Sequence, residues 1–251
     1  MDETDEVSVW LAHSEKVYGI ASEILSECEI PVGPEGAADP KVVAATLLIR
    51  TMSNFKGATL LAKQGFVVEA RILTRCCIEN LLWLGQVLAL GDSFIKEMAS
   101  DDDKSRSLRA AFALDVATTE DTKDRLRKAI DEIARRYPTK PKLLNPKGVA
   151  KGSVIESSYL QYSQLSADAA HPSLTALIRY IGRDNTVGTR DIDMSPVPRP
   201  SELAQTVYWA CIALTGASVA FNQLAGPTTA GRALSALADE FETLRERTGV
   251  R

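Results

Sequence analysis

Apolar side chains recur along most of this chain every three or four residues, the repeat that gathers them on one side of an α-helix. The first such run extends from Val7 to Cys28, with Trp10, Val17, Ala21, Ile24 and Cys28 in step. The stretch "PVGPEGAADP" (Pro31 to Pro40) breaks it, because three prolines and two glycines cannot continue a helix. A second helix is predicted over Lys41 to Lys63, a turn or kink near Gly65, and a third helix over Phe66 to Leu90, the most apolar of them. At ~1.5 Å per residue the third helix would be ~37 Å long, enough to cross a whole domain.

A shorter, more polar helix is predicted from Asp92 to about Val116. Another is capped at Thr119 by "TTED" and ends near Tyr137-Pro138. A lysine-rich loop, "PTKPKLLNPKGVAKG", follows. Helical spacing resumes over Val154 to Ala169 and, beyond His171-Pro172, over Ser173 to Ile181. The irregular stretch "GRDNTVGTRDIDMSPVPRP" has room for a small β-hairpin near residues 183–199, around Gly188. Ser201 is the expected cap of the next helix. Thr228 or Thr229 caps the last, which carries one stripe of Leu234, Leu237, Ala238, Phe241 and Leu244 and stops at Gly249. With no internal repeat and no strand alternation elsewhere, the expected fold is all-α: a single-domain bundle of about eight helices spanning residues 1–251, residues 201–248 forming a C-terminal helix pair.

Leu203 to Gly231 carries no charge. Its most apolar part, Val207 to Phe221, falls short of the ~20 apolar residues that span a bilayer. It therefore reads as a buried central helix, in the core or across a homodimer seam, and no membrane partner is expected. Ala213, Gly216, Ala217 and Ala220 would let another helix approach closely. The totals fit: of 251 residues 45% are apolar, 25% charged and only 6% aromatic, a globular balance that favours helix. The net charge of -4 argues against a generic polyanion binder. Cys28, Cys76, Cys77 and Cys211 form no C-x-x-C pair, so they read as small buried residues in a reducing compartment. The acidic start "MDETDEVSVW" carries no secretory signal, and a cytoplasmic location is expected.

Chemistry has few places to sit. G-x-S-x-G, P-loop and G-x-G-x-x-G motifs are absent, and neither His13 nor His171 has ligand spacing, so no metal and no cofactor is expected. Arg71, Arg75 and Glu79 lie four residues apart on the third helix, with Trp83 continuing the row. Spacing alone leaves two choices: a solvated face, or a polar stripe buried between helices that must then be paired. In "SYLQYSQLSADAAHPSLTAL", Tyr159, Tyr162, Ser163 and Ser166 fall on one helical face. His171 sits where Pro172 forces the backbone out of the α region. An imidazole titrating near ~6.5 suits acid–base work, and equally serves as a hydrogen-bonding residue at a helix end. Arg125 to Lys151 holds nine basic residues against Asp131 and Glu132, a segment that could track an RNA backbone.

"RILTRCCIENLLWL", followed about eighty residues later by "YLQYSQLSADAAH", resembles a bacterial family known as domain of unknown function fifty-six seventy-seven. The resemblance covers about Val42 to Ile181, and its R-x-x-x-E and Y-x-x-Y…S…H motifs fall on Arg75, Glu79, Tyr159, Tyr162, Ser166 and His171. It implies that the two polar rows face each other in one pocket, and it favours the buried reading of Arg75 and Glu79. Two functions then compete. In one, the protein is a self-associating binding or scaffold protein whose polar constellation fixes helix register. In the other, it is a metal-independent ribonuclease of the toxin or antiphage type. His171 would be its general acid or base, Arg75 would stabilise the phosphorane, and Glu79 would orient them. Arg71, Tyr159, Tyr162 and Ser166 would contact the substrate.

Overall fold

A computed structural model describes residues 3–137, 139–182 and 191–250. The described residues form ten α-helices and no strand. In chain order these are α1 (Glu3–Glu27), α2 (Pro40–Lys63), α3 (Val67–Leu90), α4 (Asp92–Val116), α5 (Glu120–Arg136), α6 (Pro146–Ala150), α7 (Ser158–Leu165), α8 (Leu174–Leu177), α9 (Pro200–Ala225) and α10 (Ala233–Thr248). α6 and α8 are single turns, which leaves eight longer helices.

Four helices make the centre. α9 packs against α1, α2 and α3, and α2 packs along α3. Trp10, Ile24, Leu48, Phe55, Ile78, Leu82, Leu84, Leu214 and Phe221 belong to one connected set of fully buried side chains. The uncharged helix is thus a core element of the chain itself, not a free seam. α3 and α9 are long and apolar enough to cross a membrane by length and composition. Of their most apolar stretches, 44% and 67% respectively are buried inside the chain, so α9 already has a protein surround. Its small residues permit this. A methyl group on Gly216 would come 2.9 Å from Leu81 Cδ1 of α3, and one on Gly57 of α2 would come 2.7 Å from Leu73 Cδ1. Both distances are below any normal carbon contact.

Local chemistry sets the boundaries. Asp39 caps α2 by accepting from the Lys41 (2.7 Å) and Val42 (3.3 Å) amides, and Pro40 opens the helix where no amide hydrogen is needed. Gly65, at φ +82°, makes the turn into α3. Gly249, at φ +68°, ends α10 in the left-handed conformation that glycine tolerates. Several boundaries differ from expectation, among them that of α10, which begins at Ala233 and is capped by neither Thr228 nor Thr229. The helix expected from Val154 begins only at Ser158, because Gly152 (φ +74°) and a run of turns precede it. Ser201 is not the cap of α9: the helix starts at Pro200, and Glu202 reaches back to accept from the Arg199 amide at 3.2 Å. The hairpin expected near residues 183–199 is not formed by the described residues. Residues 183–190 lie outside them, and the rest supply one isolated antiparallel bridge, Ile181 with Ile192. Pro196, Pro198 and Pro200 then deny the returning chain the donors a ladder needs.

α4 and α5 pair with each other and touch the centre mainly through α3. Asp103 joins them: buried, it accepts from the Tyr137 hydroxyl at 2.9 Å and lies 3.1 Å from Arg136. α10 lies on α1, held by Trp10 Nε1 donating to Thr248 Oγ1 at 3.2 Å and by Lys16 with Glu240 at 2.6 Å.

Candidate functional site

The face of α3 that carries Arg71, Arg75 and Glu79 meets α7 and the turn after it. The two run antiparallel. Arg75, later on α3, contacts Tyr162 and Ser166, while Arg71, earlier, contacts Asp168. Past Leu165 the helix widens into one π-helical turn, Ser166–Ala170. Such insertions are rare and re-aim side chains. His171, at φ -124° and ψ 145°, leaves the helix altogether, as a residue before proline does.

Arg71 is the centre of the site. It is 6% exposed, and a buried guanidinium requires partners for its charge and its donors. It donates through Nη1 to Asp168, through Nε to Thr206 Oγ1 at 3.2 Å and through Nη2 to Gln205 Oε1 at 3.3 Å. Glu202 Oε1 lies 3.8 Å from Nη1. Asp168 in turn receives Arg179 Nη2 at 2.9 and 3.0 Å on its two oxygens. One carboxylate therefore bridges two guanidiniums, and three stretches of chain that are remote in sequence (α3, the π-turn with α8, and α9) meet in this ion cluster. Burial alone would raise the Asp168 carboxyl, but the hydrogen bond and charge of Arg71, with Arg179, outweigh it. The acid lies below the usual carboxylate range and is ionised at neutral pH.

Arg75 forms the second layer. Its Nε donates to Ser166 Oγ at 2.8 Å, its Nη2 donates to the Tyr162 hydroxyl, and its guanidinium carbon lies 4.5 Å from the Tyr162 ring centre. Glu79, 33% exposed, sits 3.4 Å from Nη1. Tyr159 stacks on Tyr162 with ring centres 6.0 Å apart. Burial, and then the nearby Glu79 charge, push the Tyr162 phenol upward, so it stays protonated.

The two polar rows therefore face each other; Arg71 and Tyr162 are buried, but Arg75 and Glu79, for which burial was expected, are only half-buried, as is Ser166. His171 does not join them. It is exposed and makes no side-chain hydrogen bond among the described residues. The expected shared network of Glu79 and His171 is thus not formed; the acid that does join the arginines here is Asp168, on Arg71 and Arg179. Asp168, Arg179, Glu202, Gln205 and Thr206 were not anticipated. Glu202 and Thr206, four apart on α9, carried a faint signal: a polar pair at the entrance of an otherwise uncharged helix.

The basic segment also changes character. Counting from Arg125 leaves out the acids just before it. Arg125 pairs with Asp121, Arg127 with Asp124 at 2.8 Å, and Lys123 with Glu120 at 2.8 Å. Much of α5 is neutralised along its own surface.

His13, the other histidine, is 1% exposed beside Trp10 and Phe241. Burial outweighs Glu240, whose Oε1 is 3.5 Å from Nδ1, and holds the imidazole below its ordinary value. Among the described residues no group of three or more His, Cys, Asp or Glu side chains could hold a metal ion.

A model for a family of unknown function, DUF5677, matches residues 41–188. The chain belongs to this family. No curated protein and no solved structure was found to match it. The DUF5677 segment contains Arg71, Arg75, Glu79, Tyr159, Tyr162, Ser166, Asp168, His171 and Arg179, whereas Glu202, Gln205 and Thr206 of α9 lie beyond it. The ion cluster therefore ties the family segment to α9, in addition to the apolar packing of α2 and α3 on that helix.

Proposed function

We propose that this DUF5677 chain is a non-catalytic binding protein with a scaffold core. In this reading α3 and α9 form a rigid platform, and residues 166–182, with the extended chain leading into α9, form the recognition surface. The observation that supports it is Asp168 bridging Arg71 and Arg179. The cluster's carboxylate is already saturated by guanidiniums, so it fixes position rather than waiting for a proton. Such a charge triad contributes conformational definition more than net stability. Location in the cytoplasm, self-association and the absence of a membrane partner belong to the same proposal, and sedimentation velocity of the purified chain reads the self-association directly.

The test is limited proteolysis of wild type and Asp168→Asn. Cleavage between residues 171 and 199 should accelerate at least tenfold in the variant while far-UV circular dichroism stays helical. Unchanged cleavage would remove the fastening role.

A second reading, the ribonuclease, draws on the exposure of His171, whose ring a substrate could reach from solvent. It is weaker, because Arg75 is taken up by Tyr162, Ser166 and Glu79. Loss of RNA cleavage in His171→Ala, against a cleaving wild type, would establish it and overturn the non-catalytic proposal.

A further inference from the structure

Beside the ion cluster opens a cleft of about 870 Å³, within the size range of small-molecule sites. Asp168 and Glu202 of the ion cluster line it, together with Ile178, Arg179 and Ile181, which precede residues 183–190 in sequence, and Asp193, Val197 and Arg199, which follow them. Nothing in the fastening role requires this opening, and its lining has a chemistry of its own.

The charges are mixed. Among the described lining residues, Asp168, Asp193 and Glu202 accompany Arg179 and Arg199, and Arg71 stands behind Asp168. A ligand bearing only negative charge would meet three carboxylates, and one bearing only positive charge would meet the guanidiniums. The groups also differ in how far their partners satisfy them. Asp168 is saturated. Arg179 gives only Nη2 to Asp168, and its Nε has no acceptor, a buried donor that calls for an explanation. Arg199 is exposed, and its guanidinium has no acid within ion-pair distance among the described residues. Glu202 accepts the Arg199 amide, with Arg71 only at 3.8 Å, and keeps capacity for a cation. Between these charges lie apolar side chains open to solvent: Ile178 is 59% and Val197 91% exposed.

We infer that this cleft binds a zwitterion with an apolar body, an amino-acid-like molecule or short peptide. Its carboxylate lies between Arg199 and Arg179, its ammonium lies on Glu202, and its side chains lie against Ile178, Ile181 and Val197. Guanidinium forks match carboxylates in two-point contact, and a cleft lined by both signs of charge favours a ligand that carries both. The inference goes beyond the proposed scaffold role, which is tested without any ligand.

The experiment is isothermal titration of the full chain with trileucine, N-acetyl-trileucine and trileucine amide, alongside hexanoate and hexylamine as single-charge probes. Trileucine should bind, and each blocked form should bind at least tenfold more weakly. Arg199→Gln, at an exposed position, should erase the preference for the free carboxylate, and Glu202→Gln the preference for the free ammonium. Equal affinity for blocked and free peptide, tighter binding of hexanoate or hexylamine, or no binding of trileucine would each overturn the inference. None of these outcomes bears on the proteolysis test of the fastening role.

Discussion

Replacing Asp168 by asparagine keeps the shape and one carbonyl acceptor but removes the charge that Arg71 and Arg179 share. Arg71 is 6% exposed, so water cannot replace the lost partner, and only neutral Thr206 and Gln205 and the distant Glu202 remain. Removing one member of a buried pair costs about 3–5 kcal/mol. The Asp168 side chain is 17% exposed and asparagine still accepts one hydrogen bond, so the lower end, about 3 kcal/mol, is expected. At 2–4 °C per kcal/mol for a chain of this size, Tm should fall by about 6–12 °C. Urea unfolding at pH 7 measures the free-energy loss, and thermal unfolding the shift in Tm. Glu79→Gln is the control: its pair with Arg75 is a partly exposed i, i+4 contact at 3.4 Å, worth at most about 0.5 kcal/mol. The pH profile adds a second readout. The folded carboxyl lies below its unfolded value, so its contribution is complete above about pH 3.9 and is lost as pH falls further, through the folded value. Wild type and variant should differ by a constant amount from pH 7 to 5 and converge below about pH 3.9. A difference under about 1 kcal/mol at pH 7, or one no larger than that of Glu79→Gln, would refute the account of the cluster.

Three other outcomes are expected. His171→Ala should change unfolding free energy by less than about 0.5 kcal/mol in the same titration, because the ring is exposed and makes no side-chain hydrogen bond among the described residues. Gly216→Val should lower stability by about 1–3 kcal/mol, since even a methyl there meets Leu81 Cδ1 at 2.9 Å, and differential scanning calorimetry would report it. Because burial holds His13 below its ordinary value, its contribution is complete above about pH 6.5 and is lost as pH falls below that. The slope of stability between pH 6.5 and 5 should flatten in His13→Leu.

What the sequence discloses follows from where each property is encoded. Helix period is local, so α2, α3, α5 and α9 can be read directly, and the lack of charge in α9 discloses a helix enclosed by others. The four-residue spacing of Arg71, Arg75 and Glu79 fixes a shared face whatever the fold, and the same holds for Tyr162 and Ser166. Short elements are harder. α6 is only five residues, yet Asn145-Pro146 states its cap and first position, and Asn145 Oδ1 does accept from the Gly148 amide at 2.8 Å.

Asp168 was hidden for a different reason. It lies two residues beyond Ser166, off the α-helical row, and meets Arg71 across a π-turn that no apolar pattern announces. Arg179 arrives from beyond a proline and Thr206 from α9, and neither spacing nor charge joins segments that only the tertiary fold brings together. The histidine makes the point most sharply. Pro172 does force His171 into extended backbone, as its position implies, and the extended backbone lifts the chain off the helical row before the next helix begins. Its nearness in sequence to Asp168 therefore ends as separation in space: the acid faces the arginines of α3, and the imidazole faces water.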